Sequence, residues 1–392
     1  MPRLPRQVVL LGWISLLADV SGEMTTPLLP LYITGVLGAS TVALGVVEGT
    51  AEAVVTAMKA VSGWHSDRAG RRMPYIRWGY GLPVLGKSIV AMATIWPMVG
   101  AGRVLDRLGK GIRTTPRDAL LADAVHASIR GHAFGVHRAM DTAGGLLGAL
   151  VAAALLGLLG ASATPESAPA WRGALAAAAV AGFACWLLTF LLREPSPPAM
   201  PDGVVTNPRP RPTSLDGRFW RTTLALCLFA LGNSSDAFLL LRTAELGLSA
   251  VEVILAYALF NLVYAAGSWP AGRLSDVVGR NRLLVTGWLL QGLVYLGFGL
   301  AQSGGQCVVL LCIYGLAIAC HDGVGKALVA DAAPDGRRGT AMGVAFGCMG
   351  ACALLASVGA GAIWQMAGPA PALGLSLLTS VAACLALPRQ AR

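Results

Sequence analysis

Charge is what this chain lacks most. Only 13% of its 392 residues are Asp, Glu, Lys or Arg, about half of the roughly 25% usual in soluble domains. Aromatic residues are also sparse, at 7%. So little charge excludes a soluble enzyme and a disordered chain, which stays unfolded by being polar. The eight cysteines contain no CxxC pair, which excludes a disulfide scaffold and a zinc knuckle. Cys185, Cys227, Cys307, Cys312, Cys320, Cys348, Cys352 and Cys384 all fall in apolar stretches and read as small buried residues. The signatures HExxH and GxSxG are absent, so no enzymatic activity is expected. With no P-loop taken to be present, ATP drive is not expected either.

What remains is apolar. The chain is 55% hydrophobic, with 49 glycines and a mean hydropathy of +0.64. A helix needs about 20 apolar residues to cross a bilayer, so twelve spans would use about 250 residues. The rest suffices for short loops. Spans are expected near 9–34, 41–62, 75–97, 100–123, 131–159, 171–192, 219–242, 250–271, 283–302, 306–329, 339–365 and 369–387. The segment at the amino terminus is basic and then apolar, like a signal peptide. It carries Asp19 and Glu23 and no convincing cleavage site, so it reads as a retained first span. Seven of the 22 prolines fall in 193–218, an extended linker. That linker separates an N-terminal six-helix bundle, 1–192, from a C-terminal one, 219–392.

The net charge of +10 follows from arginine in the loops rather than from nucleic-acid binding. With the N-terminus in the cytoplasm, the cytoplasmic segments hold Arg3, Arg6, Arg68, Arg71, Arg72, Arg77, Arg117, Arg130, Arg138, Arg193, Arg209, Arg211 and Arg218. They also hold Arg221, Arg273, Arg280, Arg282, Lys326, Arg337, Arg338, Arg389 and Arg392. The other side holds Arg172, Arg242 and, at its margin, Arg103. This bias places both termini in the cytoplasm of an inner-membrane protein. Trp13, Trp78, Trp96, Trp171, Trp220, Trp288 and Trp364 lie mostly near span ends and read as interfacial anchors.

The two halves repeat each other. GWHSDRAGRR begins at Gly63, and GRLSDVVGRN begins at Gly272. ALLADA at 119–124 matches ALVADA at 327–332, an offset of 208. Six spans repeated in one orientation are the layout of alternating-access transporters with a site between the halves.

On these residues the chain resembles the major facilitator superfamily, whose loop motif is Gly-x-x-x-Asp-Arg-x-Gly-Arg-Arg. Gly63, Asp67, Arg68, Gly70, Arg71 and Arg72 match it fully. The second copy keeps Gly272, Asp276, Gly279 and Arg280, with Val277 and Asn281 at two basic positions. The resemblance implies an all-α fold of two pseudo-symmetric six-helix bundles, and a conformational latch on Asp67 and Asp276. The structural alternative for the motif is a tight basic turn. Arg103 takes the Arg role of the fourth-span motif, with Arg107 in place of its Gly. Gly135, Gly144 and Gly148 have the glycine spacing of proton-coupled exporters, but Ala149 replaces the final Pro. Close helix packing is the alternative for those glycines.

Ionisable groups at bilayer depth are costly unless paired, neutralised or wet. Asp19 and Glu23 lie four apart on the first span, and Glu48 and Glu52 on the second. These four, with Asp141, are the candidate proton carriers; the alternative for the four is a static salt bridge, for example with Lys59 or Lys87. The fourth span puts Arg103, Asp106, Arg107, Lys110, Arg113, Arg117 and Asp118 on one stripe. That stripe is either an anion-binding wall or a ladder paired with the acids. Arg107, Lys110, Arg113, Asn233, Asp236, His321 and Asp322 are the substrate-cavity candidates. Arg113 is favoured for substrate contact, because it aligns with His321 across the repeat, and Arg107 for pairing. His137 can pair with Asp141 as a relay or pack structurally.

The expected function is a proton-coupled secondary transporter of a small organic solute, with efflux slightly favoured. The alternatives are an importer or exchanger of an organic anion or zwitterion, and a receptor that has lost transport. No cofactor and no metal site are expected. The expected partners are substrate, protons and lipid, with the chain acting as a monomer.

Overall fold

The computed structural model describes residues 5–69, 71–125, 130–194, 216–332 and 338–388. Within them the chain is helical, without a strand. We number the spans α1 (Arg6–Val36), α2 (Thr41–Ala69), α3 (Met73–Met92), α4 (Trp96–Asp123), α5 (Arg130–Leu158) and α6 (Pro165–Leu191). The second set is α7 (Gly217–Glu245), α8 (Ala250–Val278), α9 (Arg280–Leu300), α10 (Gly304–Ala332), α11 (Arg338–Ala367) and α12 (Pro369–Ala386). Most of the 193–218 linker lies outside the described residues.

Ten of these helices are long and apolar enough to cross a membrane. The other two have the length, at 20 and 28 residues, but α3 is diluted by Gly, Pro and polar residues and α4 carries a stripe of charge. Local chemistry sets several helix ends. Asp216 accepts from the amide of Phe219 at 2.8 Å and caps α7. Ser249 and Glu252 form a reciprocal capping box that starts α8. Pro97 and Pro369 sit in first turns, where a missing N–H costs nothing.

The first helix of each set is broken. In α1 the regular helix ends at Thr25, and the outer part passes Pro27 into a π-helical turn over Tyr32–Val36. In α7 the helix stops at Gly232 and resumes at Ala237. These breaks coincide at the 208-residue offset.

Packing follows the repeat. In the first set α1 packs on α5 and α6, α3 on α4 and α6, and α2 on α4. In the second set α7 packs on α11 and α12, α9 on α10 and α12, and α8 on α10. The sets meet along α2–α11 and α5–α8, two seams that exchange when the repeats are swapped. Small residues allow the close approaches. A side chain on Gly144 or Gly148 would fall against the backbone of Leu16 or Val20 on α1, so these glycines serve packing.

The two ends of the molecule differ. At the distal end, where α1 joins α2 and α7 joins α8, one apolar core spans both sets, from Met24–Val36 to Ala237–Leu241 and Val253–Phe260. At the basal end, where α1 and α7 begin, each set has its own core. One is built on Leu11, Ile76 and Leu120, the other on Phe219, Leu284 and Val329. The outer surface is apolar, with Leu158 85% and Met366 86% exposed, a face suited to lipid rather than water.

Several sequence expectations change here. The motif beginning at Gly63 is mostly helix, because α2 runs on to Ala69. Gly63 is therefore a packing residue, where a side chain would press on Thr115 of α4. Gly272 likewise lies inside α8, and among the described motif glycines only Gly279, at φ +94°, is a turn glycine. Trp171, Trp288 and Trp364 are buried rather than interfacial. Trp171 donates to Ser162 O at 2.7 Å, Trp288 stacks on Phe229, and Trp364 packs on Phe238. Trp13, Trp78, Trp96 and Trp220 are exposed, as anchors require. Of the cysteines only Cys185 and Cys307 are buried; the other six are half-buried, and all eight are free.

Candidate functional site

The fourth-span stripe is largely absorbed by its neighbours. Arg103, 2% exposed, makes two 3.0 Å hydrogen bonds to the carboxylate of Glu48 on α2. Asp106 accepts from Lys87 of α3 at 2.8 Å and lies 3.9 Å from Arg103. Glu48, Arg103, Asp106 and Lys87 thus form one buried network tying α2, α3 and α4. Two-point Arg–carboxylate pairing satisfies both groups where water is scarce. Arg113 donates to Gly79 O at 3.0 Å and lies 4.3 Å over the Tyr80 ring. Arg117 bonds Ser15 and Asp118. Arg107 and Lys110 form no ion pair with a described residue. Lys110 is nevertheless within electrostatic reach of Asp19 and Glu23.

One expectation fails on inspection of α3. Residues 81–88, Gly-Leu-Pro-Val-Leu-Gly-Lys-Ser, do spell a P-loop. A working P-loop is a loop between strand and helix whose amides cradle phosphate. This string is continuous helix. Lys87 is bound to Asp106, Gly86 packs on the α4 backbone, and Ser88 bonds back to Val84 O. It cannot hold a nucleotide in this fold.

The acids of α1 face two ways. Asp19 lies within reach of Glu23, Lys110, Arg113 and Asp141. Glu23 accepts 2.6 Å from the hydroxyl of Tyr257 on α8, so this bond crosses between the sets. Glu52 is exposed, with Thr56 as its hydrogen-bond donor. Asp236, at the α7 break, accepts from Tyr314 of α10 at 2.6 Å. Glu23, Glu48 and Glu52 are all within electrostatic reach of it. Four carboxylates from α1, α2 and α7 therefore converge on the seam.

The second set holds a neutral network of which sequence reading singled out Asn233 and His321 but missed Gln291, Tyr295 and Tyr314. Asn233 Oδ1 accepts from Gln291 Nε2 at 2.7 Å and from Tyr295 at 3.1 Å. Gln291 Oε1 lies 2.7 Å from His321 Nε2. Since the Gln291 amide nitrogen serves Asn233, its oxygen is the acceptor and His321 Nε2 carries the proton. Tyr295 also bonds Ser234 O and touches Tyr314. Asp322 accepts from Tyr264 at 3.2 Å. The repeat offset would have found part of this, because Lys87 and Asp106 map onto Tyr295 and Tyr314. The second set thus places a tyrosine pair where the first has an ion pair. Arg113 and His321 also correspond: each packs on a glycine of the preceding helix, Gly79 or Gly287.

The latch residues are only partly described. Arg68 and Arg71 are exposed, and Arg68 lies 5.4 Å over Trp64. The side chains of Asp67, Asp276 and Arg280, with Gly70, lie outside the described residues. Among described residues no cluster of His, Cys, Asp and Glu has a metal-holding arrangement.

Comparison with known proteins agrees with this architecture. The family model described as Major Facilitator Superfamily matches residues 11–244 and 223–391. An uncharacterized MFS-type transporter of Methanocaldococcus jannaschii is 32% identical over 390 residues, 98% of this chain and 95% of that one. Among solved structures, the nucleoside transporter NupG gives a TM-score of 0.78 at 12% identity, covering 97% of this chain and 99% of the other. A bacterial homolog of the human lysosomal transporter Spinster, inward-facing and unoccupied, gives 0.71 at 19% identity, covering 97% and 94%. At such identities the structural likeness shows the fold, whereas the family model spans the whole chain. The chain belongs to the major facilitator superfamily.

Proposed function

We propose that this protein is a proton-coupled secondary transporter of a small organic solute, exporting it across the inner membrane with both termini in the cytoplasm. One observation carries the reading: the Tyr257–Glu23 hydrogen bond crosses the seam where Asp236, Glu48 and Glu52 also gather. Closing the seam brings like charges together in a poorly screened space. A proton bound among them relieves that repulsion, so proton occupancy and seam closure become one equilibrium. The arginine bias supports the cytoplasmic placement of the basal end. The Asp67 and Asp276 motifs serve as latches on the switch.

The test begins with a thermal-shift screen of purified protein against compound classes at two pH values. The best ligand is then followed in proteoliposomes. Glu23→Gln is expected to abolish flux driven by a pH gradient while leaving ligand exchange largely intact. Gradient-driven flux at the wild-type rate in Glu23→Gln, and also in Asp236→Asn, would overturn proton coupling at this seam.

A second reading, an organic-anion importer or exchanger, rests on Arg107 and Lys110, two stripe cations that, unlike Arg113 on Gly79 O, have neither an ion pair nor a side-chain hydrogen bond among the described residues. It requires Lys110→Gln to weaken binding of anionic ligands and spare neutral ones.

A further inference from the structure

A buried imidazole–carboxylate pair sits on α5, basal to the carboxylates gathered at the seam. His137 is 4% exposed, and its Nδ1 lies 3.6 Å from Asp141 Oδ2. The other polar atom of each group, His137 Nε2 and Asp141 Oδ1, is buried without a hydrogen-bond partner. Two open positions side by side are unusual, because buried polar groups are ordinarily satisfied. The charged groups facing the pair are Arg117 and Asp118 of α4, Arg138 of α5 and Asp19 of α1. Arg138 in turn lies beside Tyr264 of α8.

Depth orders these groups. Parallel packing of α1 and α5 sets Gly12 beside Met140, Leu16 beside Gly144 and Val20 beside Gly148. In that register His137 is nearest the basal end, Asp141 lies one turn deeper, and Asp19 and then Glu23 lie deeper still. Glu23 ends at Tyr257 on the seam.

We propose that His137 and Asp141 are the basal mouth of a proton path that runs through Asp19 to Glu23. This assignment rests on the proton-coupled reading and adds the route. Imidazole suits the mouth of such a path, because it accepts a proton on one nitrogen and releases one from the other. As His137 Nε2 gains a proton, the N–H bond at Nδ1 breaks and an O–H bond forms on Asp141; each later transfer, from Asp141 to Asp19 and from Asp19 to Glu23, breaks one O–H bond as it forms another, so charge is conserved. Arg117 stays fixed by Ser15 and Asp118 and carries no proton.

The test uses the full-length protein in detergent, with protons as the probe. After a rapid pH drop, proton uptake is followed with a pH-indicating dye. His137→Phe is expected to slow proton uptake about a hundredfold, the low end for losing a positioned proton-transfer group. The protons finally taken up by the carboxylates should stay the same. His137→Lys, which can still exchange a proton, is expected to recover part of the rate, and Asp141→Asn to slow it like His137→Phe. Wild-type uptake rates in folded His137→Phe and Asp141→Asn would overturn the route. If Asp19→Asn and Glu23→Gln leave the number of protons unchanged, the route fails at its inner end, whereas the proton-coupled reading falls only if Asp236→Asn leaves that number unchanged as well. Because a structural defect would alter melting, each variant is compared at matched melting temperature.

Discussion

At the scale of the residue, the most consequential arrangement is the Lys87–Asp106–Arg103–Glu48 network. Four charges are removed from both lipid and water, at side-chain exposures from 3% to 13%. Breaking one partner of such a network leaves an uncompensated charge and costs about 3–5 kcal/mol, whereas removing both partners of a pair costs less. Lys87→Met is therefore expected to lower the melting temperature in detergent sharply, and Lys87→Met with Asp106→Leu to recover most of it. A double variant no more stable than the single one would show that Asp106 is held by Arg103 instead. The neutral network behaves differently. Asn233→Ala leaves Gln291 Nε2 without its acceptor, although Tyr295 keeps Ser234 O, and is expected to cost about 1–3 kcal/mol, while Tyr295→Phe leaves Gln291 on Asn233 and costs less. Chemical or thermal unfolding of the two variants gives the ranking.

Among the helices, glycine decides which pairs can touch. Gly144 and Gly148 let α5 lie on the α1 backbone, whereas Gly135 of the same helix has open space at its Cβ position. Gly144→Val and Gly148→Val are expected to destabilise the first six helices, and Gly135→Val to be close to neutral. Equal melting temperatures for all three would remove the packing explanation. The broken helices α1 and α7 show a second elemental device. At both breaks the backbone leaves the helical path and polar groups take over: Thr25 and Thr26 bond back to Ser21 O and Gly22 O, and Ser234 O accepts from Tyr295. Irregular backbone at membrane depth is tolerated where protein supplies such partners.

For the whole molecule, one shared core at the distal end and two separate cores at the basal end describe a body joined at one end. Gly45 sits on the α2–α11 seam, where a side chain would strike the backbone at Ser357. Gly45→Leu is expected to force the distal seam apart. Spin labels at Thr94→Cys and Gln302→Cys, two exposed distal positions related by the repeat, report it, with the other cysteines replaced by serine. Gly45→Leu should shift the label separation to longer distances; an unchanged distribution would mean that the seam yields locally. A reporter active only outside the cytoplasm, fused after Arg392, is expected to give no signal, and a strong signal would reverse the assigned orientation.

Hydropathy, arginine placement and the 208-residue repeat are local properties of the chain. They sufficed for the span count, the six-plus-six division and the family, because in lipid each helix satisfies its own backbone and reveals itself by composition. The ends of α2 and α8 were less legible: Gly63 and Gly272 look like turn residues until α4 or the helix itself is seen to run past them. Which charges are spent and which are available was legible only within a helix, as for His137 and Asp141 four residues apart. Arg113 looked as free as Lys110, yet it is held by Gly79 and Tyr80, while Lys87, which the sequence offers as a salt-bridge partner for the acids of the first two spans, is instead the partner of Asp106. Gln291, Tyr295 and Tyr314 carry no charge and sit in apolar runs, so only the meeting of α7, α9 and α10 gives them a role. Pairing energy depends on distances between helices, and no linear pattern encodes those distances.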